Sequence, residues 1–277
     1  MASTGEVSEE KKSSEITDAS PGKGSKRSRE NDNPQAVEDV AKKTKVAVAS
    51  VPATEKALRF DLAVAHRLIA KMGWDMLVWN HISARIGTKF LITPGRQIWN
   101  KIKPQDLLLE SDNITANVIH SAIYSSGRTD INAIIHLHTP AATAVSCLKC
   151  GFKPIVQDAA YFYQRVAYYD WDGLSNDEAE GPALIKAVES VPGCNTLVLN
   201  NHGFVCFGAS VKEVFVLAYY FERCCDIQLR TMSSGAEIRE PSQAVMETAA
   251  ETSFLPEFAP GNCEWEALCG EVDFDKE

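Results

Sequence analysis

The chain lacks any long apolar run. No stretch of its 277 residues approaches the roughly eighteen uninterrupted apolar residues of a membrane-spanning helix. Its first residues also lack the apolar segment of a secretory signal. We therefore expect no membrane span and a cytoplasmic protein whose eight cysteines stay reduced.

The sequence has one C-x-x-C pair, Cys147 and Cys150, and no second pair to complete a zinc ribbon. The preceding residues have a helical pattern, so these two thiols would share a helix face. We favour buried structural cysteines over a zinc or redox role, here and at Cys224-Cys225.

The sequence also has fewer basic than acidic residues, with 28 Lys and Arg against 37 Asp and Glu. The formal net charge is −9. Residues 1–50 carry nine basic and nine acidic side chains, so the whole net negative charge lies in residues 51–277. An acidic domain is a poor partner for a phosphate backbone, and we expect no nucleic-acid binding.

Residues 1–52 contain no aromatic residue and few large aliphatic ones, so we expect a disordered tail. Its two basic clusters, residues 26–29 and 42–45, resemble a bipartite nuclear-import signal. A solvated mixed-charge tail explains them equally well. Residues 53–234 are expected to fold as one domain, and residues 235–277 to form an extension with a short docking helix at Trp265 and Leu268.

Hydrophobic periodicity in residues 53–234 alternates between helices and short strands. This pattern predicts an α/β domain in which helices cover a mainly antiparallel sheet. The expected helices span residues 55–72, 116–125, 140–150, 177–190 and 211–232. The expected strands include residues 77–86, 89–92, 107–109, 132–135, 153–156, 166–169 and 196–199.

Three histidines follow two of these strands. His136 and His138 stand two residues apart at a strand end, where alternate side chains share a face, and His202 follows the strand at 196–199. Neighbouring strands would bring all three to one sheet edge. Three imidazoles with an open position are typical of a catalytic divalent-metal site. The residues alone leave metal ligation and an ordinary structural role equally open.

Four motifs follow one another along the chain. They are Gly73-Trp74-Asp75 with Asn80 to Arg85, Leu91 to Gly95, His136-x-His138-x-Pro140, and Asn201-His202-Gly203. Their order and spacing resemble the class II aldolase/adducin head family, from about Ala57 to Arg230 and into the Trp265 segment. The resemblance implies a three-layer α/β/α sandwich around a mostly antiparallel nine-stranded sheet, and a homotetramer with sites between subunits.

In the metal-dependent members of that family, the motif histidines hold zinc or another divalent cation, which stabilises an enediolate. The resemblance implies this role for His136, His138 and His202. The family's catalytic Glu has no counterpart in residues 114–117. Its Gly-Asn-x-Ser phosphate loop reads Asn80-His81-Ile82-Ser83, which disfavours a phosphorylated sugar.

The resemblance places substrate-binding residues at Asn80, His81, Ser83 and Gly95. Because the family Glu is missing, His81 and His120 are candidates to replace it. A backbone cap for His81 and a core position for His120 are the alternatives.

Proton transfer is assigned first to Asp158 as the base, with Tyr161 or Tyr163 as the acid, because the family has an acid–base side chain at this place. A strand-end cap is the alternative for Asp158.

The motifs and the missing family Glu leave three alternative functions. The first is a metal-dependent lyase, of aldolase or decarboxylase type, acting on a non-phosphorylated hydroxy or keto acid. The second is a non-catalytic adducin-like scaffold that binds the actin cytoskeleton. The third is a metal-binding relic with an unrelated scaffold role. The expected partner is therefore a small molecule or actin.

Overall fold

The computed structural model describes residues 54–170 and 180–275. The tail with its two basic clusters, and the start of the helix expected at residue 177, lie outside the described residues.

Six strands of the described chain form one sheet in the order β2-β1-β3-β6-β5-β4. All neighbours are antiparallel except β4 and β5, which are parallel. The sheet is thus mainly antiparallel, as expected, with six strands in the described residues where the resemblance implied nine. The strands are β1 His81–Ile86, β2 Lys89–Ile92, β3 Ala133–Leu137, β4 Val166–Tyr169, β5 Thr196–Leu199 and β6 Gly203–Gly208.

Helices cover both faces of this sheet. Alternate residues of a strand pack on opposite faces of the sheet. Ile135 packs with helices from residues 55–71, 140–146 and 211–233, whereas Ile134 packs with helices from residues 114–124 and 181–189. The three-layer α/β/α sandwich is therefore confirmed. The helices are α1 Glu55–Lys71, α2 Ile114–Tyr124, α3 Pro140–Ser146, α4 Gly181–Glu189, α5 Val211–Ser233, α6 Gln243–Ser253 and α7 Trp265–Cys269.

In the described parts of the chain, no helix combines the length and apolarity that crossing a bilayer requires.

Side-chain hydroxyls cap the starts of the two longest helices of the described chain. The Thr54 hydroxyl accepts a hydrogen bond from Ala57 N at the start of α1, and Ser210 accepts one from Glu213 N at the start of α5. In a capping box the Glu side chain would accept from the backbone amide of the N-cap residue. Here the Glu213 carboxylate accepts instead from Ala209 N, the amide one residue before the N-cap Ser210.

Three strand expectations were wrong. The strand expected at 77–86 begins only at His81, because Leu77 has a left-handed φ of 54° and breaks the extended backbone. Residues 107–109 make a single bridge, Leu108 to Ile92. Residues 153–156 form no strand, since Lys153 N donates to the side chain of Gln228 on α5.

The cysteine expectation was half right. Cys224 and Cys225 are buried in α5. Cys147 and Cys150 are exposed, because α3 ends at Ser146 and both thiols lie in the turns beyond it.

The segment after α5 packs back on the domain. The Trp265 ring is buried against Phe215, with centroids 5.6 Å apart, and its Nε1 donates to Asp61 Oδ1 at 3.2 Å. Phe274 packs edge-on against Phe60 of α1. These contacts cover the outer faces of α1 and α5.

We expect Trp265→Ala to lower the free energy of unfolding by about 3 kcal/mol, because it leaves a cavity over α1 and α5. Trp79, which is 56% exposed, is the matched control, and its replacement by Ala should change stability by no more than about 0.5 kcal/mol. Urea unfolding measures both. Equal effects would show that the extension adds nothing to the core.

Candidate metal centre

Three histidines converge where β3 ends and the chain turns from β5 to β6. One ring nitrogen from each of His136, His138 and His202 lies within 4.8 Å of the others. Their ring centroids are 4.4–5.0 Å apart. We call these three residues the histidine triad.

The end of β3 is fixed by a neighbouring loop. Asn80 Oδ1 accepts from His138 N at 3.2 Å, and Asn80 Nδ2 donates to Trp74 O at 3.0 Å. Asn80 thus orients the backbone that carries His138. It was expected to bind substrate, but its side-chain amide bonds the protein at both ends.

A tight turn delivers His202. Asn201 has φ of 60°, a left-handed conformation that Asn tolerates better than most residues. The two histidine-bearing strands were expected to be neighbours; instead β6 lies between β3 and β5. His202 reaches the triad because the turn places it at the start of β6, which pairs directly with β3.

Gly203 allows that pairing to close. A Cβ on Gly203 would lie 2.6 Å from Leu137 O and 2.9 Å from His138 Cδ2. Because the first contact is with backbone, no rotamer change relieves it. The glycine therefore permits β6 to approach the end of β3.

A buried carboxylate holds the segment that follows His138 at the start of α3. Glu222 of α5 accepts from the Thr139 hydroxyl and from Ala141 N and Ala142 N, at 3.1 and 2.8 Å for the two amides. It caps α3 and holds the residue after His138. Sequence reasoning missed this residue, although an acidic side chain within the apolar face of α5 was a usable signal.

The triad has free ring nitrogens. His136 Nδ1 bonds Phe204 O at 2.9 Å, which assigns the proton to Nδ1 and leaves a lone pair on Nε2. His136 Nε2 and both ring nitrogens of His138 are buried without a hydrogen-bond partner among the described residues. Unpartnered imidazole nitrogens of this kind fit a divalent cation with nitrogen ligands, each neutral ring offering one lone pair.

Burial favours neutral rings. It lowers the pKa of His138 to about 3 and that of His136 well below its usual value, and in His136 neighbouring histidines lower it further. Burial also lowers the pKa of His202. All three imidazoles are therefore uncharged near pH 7, the protonation state that metal ligation requires.

Two further histidines adjoin the triad on the sheet face covered by α2. His81 of β1 lies opposite His136 in the strand register, with ring centroids 4.7 Å apart. His81 Nδ1 and His120 Nε2 are 2.7 Å apart. His120, for which a core position was the alternative, is fully buried yet hydrogen-bonded at both ring nitrogens.

The other residues expected to bind substrate have protein partners. Ser83 is fully buried and its hydroxyl bonds His120 Nδ1 and Tyr124 Oη. Gly95 N donates to Asp112 Oδ1 at 2.6 Å, in a loop away from these bonds.

The expected acid–base residues lie against α5 and the C-terminal segment. Asp158 is 3.6 Å from Arg223, and the Tyr161 hydroxyl donates to Phe258 O at 3.0 Å. Tyr163 follows them at the end of the same 3₁₀ turn. Within residues 54–170 and 180–275, no hydrogen bond, ion pair or ring contact joins any of the three to the triad.

Comparison with known proteins points to one family. Residues 60–229 match the model of the Class II Aldolase and Adducin N-terminal domain. Alpha-adducin of Rattus norvegicus is 37% identical over 198 residues, which are 65% of this chain and 26% of the adducin. The chain thus spans about a quarter of the length of the adducins it matches.

Bacterial proteins match over more of their length. A protein of Pseudomonas aeruginosa assigned to aldolase class 2 is 34% identical over 204 residues, which are 69% of this chain and 77% of that protein. The crystal structure of an aldolase II superfamily protein from Pseudomonas syringae is 29% identical, with a TM-score of 0.71 over 85% of this chain and 96% of the other.

We expect Gly203→Ala to lower the free energy of unfolding by about 2 kcal/mol or more, because the new methyl group collides with the β3 backbone. Gly181→Ala is the control, since a Cβ there meets nothing closer than 3.8 Å and the φ is not left-handed. Urea unfolding of both variants decides the matter. Similar stability of the two would mean that β6 tolerates a side chain against β3.

Proposed function

The chain belongs to the family of class II aldolase and adducin N-terminal domains, and from that membership we propose that it is a divalent-metal-dependent lyase. Its chemistry is of aldolase or decarboxylase type, and its substrate is a small, non-phosphorylated hydroxy or keto acid. The observation that carries this proposal is the convergence of three neutral imidazoles, among which His136 Nε2 and both ring nitrogens of His138 have no hydrogen-bond partner among the described residues.

His136, His138 and His202 are the proposed ligands, with zinc the first choice of ion. Nitrogen ligands suit zinc and several transition metals better than magnesium or calcium. When bound, such a cation supplies Lewis-acid charge where negative charge develops on the substrate. The Phe204 carbonyl orients the His136 ring, and Asn80 orients the backbone that carries His138.

The charge of the site supports an acid as the substrate. The triad is neutral, and no carboxylate in the described residues is bonded to it or perturbs its pKa values. A divalent ion there keeps its full charge, so an anionic carboxylate is a better partner than a neutral carbonyl. Recognition of a phosphate group usually uses Arg or Lys side chains. None of those in the described chain is hydrogen-bonded to the triad, which disfavours a phosphorylated substrate.

Asp158, Tyr161 and Tyr163 stay as the predicted acid–base group. The Asp158 carboxylate faces Arg223, and burial raises the pKa of Tyr161 to about 12. Within one described chain no hydrogen bond or ion pair joins these three residues to the histidine triad. They would therefore have to act on the triad of a neighbouring subunit in the proposed homotetramer.

An adducin-like scaffold that binds the actin cytoskeleton is the second candidate. The identity of 37% to alpha-adducin favours it. The match covers 26% of the adducin, so this partner is also a proposal. A cytoplasmic location is proposed from the lack of a long apolar run in the sequence, and nuclear import from the two basic clusters in residues 1–52.

We expect the purified chain, after dialysis against zinc, to hold about one ion per subunit, and His138→Ala to hold far less. His66→Gln is the control, because His66 is a fully buried histidine outside the triad that bonds Leu62 O and Thr93 Oγ1. Metal analysis by mass spectrometry reads all three. Equal zinc in wild type and His138→Ala would remove the triad from the proposal.

The zinc-loaded chain should then cleave at least one member of a panel of hydroxy and keto acids, and chelation should abolish turnover. Co-sedimentation with actin filaments separates the candidates. No cleavage, together with actin binding that His138→Ala retains, would replace the lyase by the scaffold.

A further inference from the structure

Five of the six histidines of the chain form one continuous cluster. His81 lies between the triad and the interior: its ring centroid is 4.7 Å from that of His136 on one side and 4.7 Å from that of His120 on the other. Only 1% of His81 is exposed.

A hydrogen-bonded chain leads away from His81. Its Nδ1 bonds His120 Nε2 at 2.7 Å, His120 Nδ1 bonds Ser83 Oγ, and Ser83 Oγ bonds Tyr124 Oη at 2.9 Å. Four side chains from β1 and α2 are thus linked in series. We call Tyr124, Ser83 and His120 the buried relay.

The far end of the relay is closed. The Tyr124 hydroxyl is 3.5 Å from the backbone oxygen of Asn132, and the Arg85 guanidinium lies 4.5 Å from the centre of the Tyr124 ring. A carbonyl cannot pass a proton onward, and burial raises the pKa of Tyr124 above its usual value. The relay therefore cannot carry protons out of the site, but it can hold its members in place.

The closed relay couples the tautomer of His81 to the direction of its hydrogen bonds. A neutral imidazole has one N–H, so each link has one donor and one acceptor. If His120 donates to His81 Nδ1, then His81 Nε2 carries the proton; if it accepts, His81 Nε2 carries the lone pair. The Tyr124 hydroxyl donates its one hydrogen to Asn132 O, so Tyr124 accepts from Ser83, Ser83 accepts from His120 Nδ1, and His81 Nε2 keeps the lone pair.

We propose that Tyr124, Ser83 and His120 are positioning residues that fix the ring and the tautomer of His81, and that His81 presents its Nε2 to the ligand held at the triad. Nδ1 is used by His120, so Nε2 is the nitrogen left for this contact. The ligand half of the inference rests on the proposed function; the positioning half does not. The arrangement places a hydrogen-bonding imidazole beside a triad that has no carboxylate of its own among the described residues.

The positioning half is tested on the full chain labelled with ¹⁵N-histidine, without metal. Two-bond ¹H–¹⁵N correlation spectra distinguish a single tautomer from an average of two. Wild type should show His81 with one protonated-type and one unprotonated-type nitrogen. Ser83→Ala should move both His81 shifts toward the average, and Tyr124→Phe should do so less strongly.

Ser126→Ala is the matched control. Ser126 is also buried, lies just after α2, and donates to Ile123 O outside the relay. Its removal should leave the His81 shifts unchanged. If Ser83→Ala and Tyr124→Phe both leave His81 as in wild type, the relay does not set the tautomer and the positioning half is wrong.

The ligand half is tested with glycolate, the simplest hydroxy acid, and zinc-loaded protein in a calorimeter. His81→Phe should keep its zinc and bind glycolate roughly 5- to 10-fold more weakly, the usual worth of one hydrogen bond. His81→Gln, which retains a donor and an acceptor, should recover part of that loss. An unchanged dissociation constant in His81→Phe overturns the ligand half.

The two proposals fail differently. A wild-type chain that takes up no zinc would overturn the proposed function and, with it, the ligand contact of His81. The spectra of the metal-free chain would still confirm or refute the relay.

Discussion

The candidate site depends on the close approach of Gly203 to the last residues of β3. Antiparallel pairing of β6 with β3 needs a residue without a side chain at this place, because Leu137 O would meet a Cβ at 2.6 Å. The left-handed turn at Asn201 directs the chain into that pairing and leaves His202 beside His136. One backbone contact thus converts two distant sequence motifs into a single cluster.

Burial then determines the chemistry of the cluster. Five neighbouring imidazoles would repel one another strongly if protonated, and desolvation alone lowers the pKa of His120 to about 3. Neutral rings must have their N–H groups and lone pairs satisfied. His120 is hydrogen-bonded at both ring nitrogens and His81 at Nδ1, whereas His136 and His138 retain unpartnered nitrogens. The contrast separates His120, whose hydrogen bonds are complete within the protein, from the histidines suited to a cation.

Much of this could be predicted from the sequence because local signals and tertiary packing agree. Strand-end spacing predicted that His136, His138 and His202 would meet, and hydrophobic alternation predicted the layered sheet. Side-chain bonds across elements carry no such local pattern. Glu222 lies about eighty residues from the amides it caps, and Ser83 reaches a helix 37 residues away. The strand expected at Lys153 failed for the same reason, since its amide donates to Gln228 on α5.

The histidine triad is proposed to bind a cation whose positive charge no carboxylate of the described chain offsets at the site. X-ray absorption spectroscopy of the zinc-loaded chain measures this directly. We expect three imidazole nitrogens at about 2.0–2.1 Å with oxygen completing the shell, and loss of the imidazole scattering in His138→Ala. A shell of sulfur, or of oxygen alone, would place the metal elsewhere and contradict the account.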